Sequence, residues 1–119
     1  MSIEEVIEML EDESVVDESY VLLRELKLVL NVSHDHFHPT IRVKIYQSNV
    51  INGQPYHFEV SHHVHTPTQA APYYPSRTCS ESEKGAIRQA ISTTVSFLKA
   101  AIREGHEPKG SWLIENRDF

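Results

Sequence analysis

The stretch Glu25-Leu26-Lys27-Leu28-Val29-Leu30-Asn31-Val32 decides how the chain is read. Within the wider segment Tyr20 to Ser33, Leu22, Leu23, Leu26 and Leu30 would suit one face of a helix, whereas Leu22, Leu26, Leu28, Leu30 and Val32 occupy alternate positions. Alternation marks a half-buried strand, because successive side chains point to opposite faces of a sheet. From Glu25 onward the alternation is nearly clean, which favours a strand.

Two further strands follow. In Thr40 to Gln47, Ile41, Val43 and Ile45 alternate with Arg42, Lys44 and Tyr46, the pattern of an antiparallel strand with one wet face. Asn52-Gly53 supplies a turn. Tyr56 to Val64 then reads as one strand, with Tyr56, Phe58, Val60 and Val64 on the apolar side and His57, Glu59, Ser61, His63 and His65 on the other. Short connections between sequential strands predict an antiparallel meander over residues 20–65.

On either side lie helices. Ser2-Ile3-Glu4-Glu5 can cap a short helix through Ile3, Val6, Ile7 and Leu10, ending near Glu13. Residues 66–79, with Pro67, Pro72, Pro75 and the pair Tyr73-Tyr74, predict a loop; loops of this length in a compact domain are often functional. Ser80-Glu81-Ser82-Glu83 matches a capping box, and Ile87, Ala90, Ile91, Thr94, Val95, Leu98, Ala101 and Ile102 make a helical stripe that stops at Gly105, so a helix is predicted over 80–104. The tail 105–119, with Trp112, Leu113 and Ile114, reads as extended or as a further short strand. The predicted fold is α+β: a meander of three or four strands, one face covered by the long C-terminal helix, preceded by a short N-terminal helix.

Composition bounds the rest. A chain of 119 residues, 39% apolar, fits a single domain with one core. No apolar run approaches the roughly 20 residues that span a bilayer, so no membrane partner is expected. The acidic start lacks the basic-then-apolar order of a secretory signal, and the expected location is cytoplasmic. The single cysteine, Cys79, leaves no intramolecular disulfide framework. Asn31-Val32-Ser33 matches a glycosylation sequon and is read as chance in that setting. The formal charge of −6 is uneven: residues 1–18 hold eight acidic side chains and no Lys or Arg, while the body has eleven basic against nine acidic residues. An acidic helix and linker thus precede a weakly basic body.

Histidine supplies the most distinctive chemistry. Seven of eight fall between residues 34 and 65, as His34, His36, His38, His57, His62, His63 and His65. The side chain titrates near neutrality and binds metals, so the cluster suggests a metal site, a pH-sensitive surface or a binding face. If residues 34–38 are extended, His34, His36 and His38 share one face at spacings of about 6.6 to 7 Å, and a neighbouring strand would supply a fourth ligand such as His63 or His65. Zinc is the metal such a site would take. The His-Glu-x-x-His metalloprotease pattern is absent. Cys79 before the capping box has a helix N-terminus to lower its pKa, but Glu81 and Glu83 oppose that effect.

The sheet face turned away from the long helix is the other candidate. Alternation gives it Glu25, Lys27 and Asn31, then Arg42, Lys44 and Tyr46, then the histidine-bearing strand. Arg42, Lys44, Tyr46, His57 and His63, with Tyr73 and Tyr74 of the loop, are the candidate ligand-binding residues. Basic and aromatic groups on an open sheet can hold phosphates and stack bases.

In its order of elements the segment 20–104 resembles the single-stranded-DNA-binding PC4 and Whirly type of fold, where a sheet is followed by a long helix used in dimerisation. That resemblance implies a dimer and a nucleic-acid-binding sheet. The chain's acidic charge and the lack of a dense Lys/Arg patch depart from it. Helix-strand-strand-strand-helix is also similar to a double-stranded-RNA-binding domain, but Ser80-Glu81-Ser82-Glu83 would repel phosphate where a basic helix start is expected.

The function expected from sequence is therefore a small binding or interaction module rather than an enzyme. It would be a homodimer taking a protein or an anionic ligand on the sheet face or the Pro/Tyr loop. A zinc protein centred on the histidines and a single-stranded nucleic-acid binder remain the alternatives.

Overall fold

A computed structural model describes all residues from Met1 to Phe119. Its elements are α1 (Ile3–Glu11), β1 (Tyr20–Val29), β2 (Thr40–Ser48), β3 (Tyr56–Val60), β4 (His62–Val64), β5 (Cys79–Ser80), α2 (Glu83–Arg103) and β6 (Leu113–Glu115), with a 3-10 turn at Gly110–Trp112. The main sheet has four antiparallel strands in the order β1-β2-β3-β5, and β4 pairs with β6 in a separate two-stranded ladder. The fold is α+β, with a short helix before the sheet and a long one packed on it. No helix is long and apolar enough to cross a membrane.

β2 is the centre of the core. Ile41, Val43 and Ile45 are at most 1% exposed, and Phe58, Val60 and Val64 continue that surface. α2 meets it with Ala86, Ala90, Thr94, Leu98 and Ala101, spaced three to four residues apart so that they share one face. Small side chains at most of these positions let the helix axis approach the sheet closely. Gly85 serves the same end at the helix start, because a Cβ there would clash with the Ser80 hydroxyl oxygen. Trp112, 5% exposed, closes the far end of the core.

Sequence expectations hold in outline and fail in four particulars. First, the stretch 56–64 is two strands. After Val60 the chain keeps one more bond to β2, from the Ser61 N–H to the Arg42 carbonyl at 2.9 Å, and then turns to β6, where His62, His63 and Val64 pair with Glu115, Ile114 and Leu113. Asn116 fixes the switch: its N–H donates to the Ser61 carbonyl and its side-chain amide to the Val60 carbonyl. The tail thus competes with β2 for the end of the third strand, which alternation alone does not register.

Second, the cap of α2 is Ser82, whose hydroxyl accepts the Gly85 N–H at 3.0 Å. Ser80 belongs to β5, opposite Tyr56. α1 does carry the expected capping box of Ser2 with Glu5. Third, the first strand ends at Val29, and Ser33 (φ 64°) lies in the left-handed region that turns the chain back toward β2. Asn31 is therefore not on the sheet.

Fourth, the register of β1 shifts between Leu22 and Arg24, leaving Leu23 as an extra residue. A one-residue slip moves every preceding side chain to the other face. Leu26 and Leu28 stay opposite Val43 and Ile41 on the core side, but Leu22 falls opposite Tyr46 and Tyr20 opposite Ser48. Leu22, expected inside, is about half exposed.

Candidate functional site

The face not covered by α2 is built from the four strands of the main sheet. Tyr20 and Leu22 of β1 stand beside Ser48 and Tyr46 of β2; His57 and Glu59 of β3 stand opposite Tyr46 and Lys44; Cys79 of β5 stands opposite His57. At one end of this face Tyr20, Tyr46, His57, Phe58, Glu59 and Thr78 line a cleft of about 440 Å³. Tyr20 meets Tyr46 edge-to-face at 6.5 Å between ring centroids and His57 at 5.4 Å. Such T-shaped pairs place the positive edge of one ring on the negative face of another.

Carboxylates border the aromatic rings. The Tyr20 hydroxyl donates to the Glu18 carboxylate at 3.1 Å. Its pKa is raised by desolvation and then by the hydrogen bond and charge of Glu18. The Tyr46 pKa is raised for the same leading reason, with Glu59 and then Glu25 adding negative charge. Both phenols stay protonated, and the Tyr20 proton is already engaged by Glu18. His57 bonds the buried Ser48 hydroxyl through Nε2 at 2.6 Å, and burial lowers its pKa, which favours the neutral ring. The cleft is thus aromatic, neutral at histidine and negative at its borders.

The cations occupy the other half of the face. Arg42 reaches Glu25 at 3.5 Å, and the Lys44 ammonium sits over the Phe119 ring at 4.2 Å, so the C-terminal residue folds back onto the sheet. With Glu25, Lys27, Arg42, Lys44 and Glu59 the charged side chains of this face sum to +1.

The expected binding residues divide accordingly. Arg42, Lys44, Tyr46 and His57 do share one face. His63, Tyr73 and Tyr74 form a separate group. His63 has left the main sheet for the β4–β6 ladder and stacks with Tyr74 at 4.2 Å, while Tyr73 packs on Phe97 of α2 at 4.6 Å. The loop is tied down by Gln69, which accepts the Thr66 N–H and donates to the Val64 carbonyl. Burial lowers the His63 pKa, partly offset by the nearby Tyr73 backbone and reinforced by His62.

His34, His36 and His38 lie in a turn closed by the Phe37 N–H on the His34 carbonyl, so the extended geometry that would align them is not formed. His34 points to Glu107 at 3.3 Å and His38 to the Asp35 carbonyl at 3.2 Å; no three His, Cys, Asp or Glu side chains gather at metal-holding distance. Cys79 is buried, and its thiol donates to the side-chain amide oxygen of Gln54 (Oε1) at 2.9 Å.

Sequence reasoning missed Tyr20, Glu18 and Thr78. Tyr20 reaches the outer face only because of the bulge at Leu23, which no glycine announces; Thr78 arrives with the end of a loop. Comparison with protein families, curated proteins and solved structures finds no match to this chain.

Proposed function

We propose that the chain is a small binding module that takes a polypeptide segment on its open sheet face, with a basic side chain of that segment seated in the cleft that Tyr20, Tyr46 and Glu59 line. The observation that carries this reading is the convergence of two tyrosine rings and a neutral histidine on one cleft bordered by Glu18 and Glu59. A guanidinium or ammonium gains from the negative ring faces and from the carboxylates together. A phosphate would meet Glu59 within the cleft and a face of only slight positive charge, which weighs against nucleic acid as the ligand.

The test is titration of isotope-labelled protein with two probes, a short Arg/Gly peptide and an oligothymidylate, followed by amide chemical shifts. The peptide is expected to move Tyr20, Tyr46, His57 and Thr78, and Glu59→Gln or Tyr46→Ala to weaken its binding about three- to tenfold. Shifts produced by the oligonucleotide and not by the peptide would replace this reading with the nucleic-acid one. Silence with both probes would remove the cleft as a site.

A further inference from the structure

β1 is the free edge of the sheet order β1-β2-β3-β5 and, at ten residues, its longest strand. Natural edge strands are usually short, interrupted by proline or covered, because one row of their backbone groups is otherwise open to any extended chain. β1 contains no proline, and from Arg24 to Val29 it is regular. The Leu30 N–H donates to the Pro39 carbonyl at 2.8 Å, so strand alternation turns the backbone groups of Arg24, Leu26 and Leu28 toward β2 and those of Glu25, Lys27 and Val29 toward the open edge. None of the ten residues is fully buried, since α2 lies over β2, β3 and the strands beyond.

Charge identifies an occupant. Lys27 stands opposite Arg42 of β2, a like charge, and forms no ion pair within the chain. Glu25, two residues away on the same face, is only partly engaged by Arg42. We propose that the open edge pairs antiparallel with β1 of a second copy, about a two-fold axis at Leu26.

Among registers that keep core-facing residues opposite core-facing residues, one centred on Glu25 sets Glu25 against itself, and one centred on Lys27 sets Lys27 against itself. The register centred on Leu26 sets Glu25 against Lys27 of the second copy, and two-fold symmetry repeats that pair. Both residues direct their backbone groups outward, so this pair also exchanges N–H to carbonyl bonds across the interface. Leu26 then faces Leu26, and two four-stranded sheets become one continuous sheet with both clefts on one surface. Pairing through the outer face of α2 has no such complementarity, because Arg88, Lys99 and Arg103 line that face.

The experiment is sedimentation velocity of the full chain across a concentration series. A mass twice 13.7 kDa is expected for the native sequence. Glu25→Lys and Lys27→Glu each create two like-charge pairs and are expected to weaken the dimer about tenfold, and the double variant E25K/K27E to restore it. Lys27→Pro removes an outward N–H without touching the ladder to β2 and is expected to give a folded monomer, with circular dichroism as the check on folding. A monomeric native chain at every concentration up to roughly 0.5 mM overturns the proposal. So does a dimer indifferent to the single charge changes, or one that the double variant fails to restore.

Discussion

β1 and β2 lie side by side with the same alternating composition, yet the core-side residues of β2 are sealed and those of β1 are only half covered. Val43 and Ile45 have a strand on each side, with α2 packed over the sheet there; Leu26 and Leu28, directly opposite Val43 and Ile41, have a strand on one side and incomplete cover above. A pattern of apolar residues states which side of a strand faces the core. The number of neighbours that arrive there decides how much area leaves water, and hydrophobic stabilisation follows that area.

The largest break in the comparison comes from truncating matched positions. Ile45→Ala is expected to cost about 2–5 kcal/mol, because a sealed site retains a cavity, and Leu26→Ala under about 2 kcal/mol, because solvent and neighbours can fill the space. Urea unfolding at concentrations where the chain is monomeric reads both; equal costs would mean that β1 is as well covered as β2.

A smaller effect sharpens the role of α2 as the cover. Ser82→Ala removes the acceptor of the Gly85 N–H and is expected to cost about 1 kcal/mol in the same assay. Ser2→Ala, at the start of the short and peripheral α1, is expected to cost less, because fraying of α1 uncovers little of the core.

The smallest effect is a pH dependence that His57 of the outer face and His63 of the β4–β6 ladder bring. The folded-state pKa values of His57 and His63 are lowered by burial, while an unfolded histidine titrates at about 6.5. Below that value the unfolded chain holds more protons than the folded one, so stability is complete above about pH 6.5 and falls as the pH drops through the folded values. The melting temperatures of the native chain and of His57→Gln are expected to converge on acidification. A constant difference from pH 8 to pH 5 would show that protonation of His57 does not oppose folding.

Much of the fold was legible because it depends on local periodicity. The first strand apart from its end, the strand read over 40–47, the capping box at Ser2 and the helical stripe from Ile87 to Ile102 each follow from spacing within one segment. The site was legible only in part. Tyr46 and His57 were placed on the open face by alternation, along with Arg42 and Lys44. His63 was placed there by the same alternation and Tyr73 and Tyr74 were grouped with them by chemistry, and the structure sets those three around the loop and the second ladder.

By itself the sequence determined where the long strands and both helices lie, the inward side of their regular stretches, and most of the chemistry that the outer face of β2 and β3 carries. Only the tertiary structure decided that β3 ends at Val60, that Tyr20 joins Tyr46 and His57, and that β1 stands at an open edge. The reason is physical: periodicity is carried by neighbours along the chain, whereas a bulge, a change of strand partner and an uncovered edge are settled by segments far apart in sequence competing for the same hydrogen bonds and the same apolar surface.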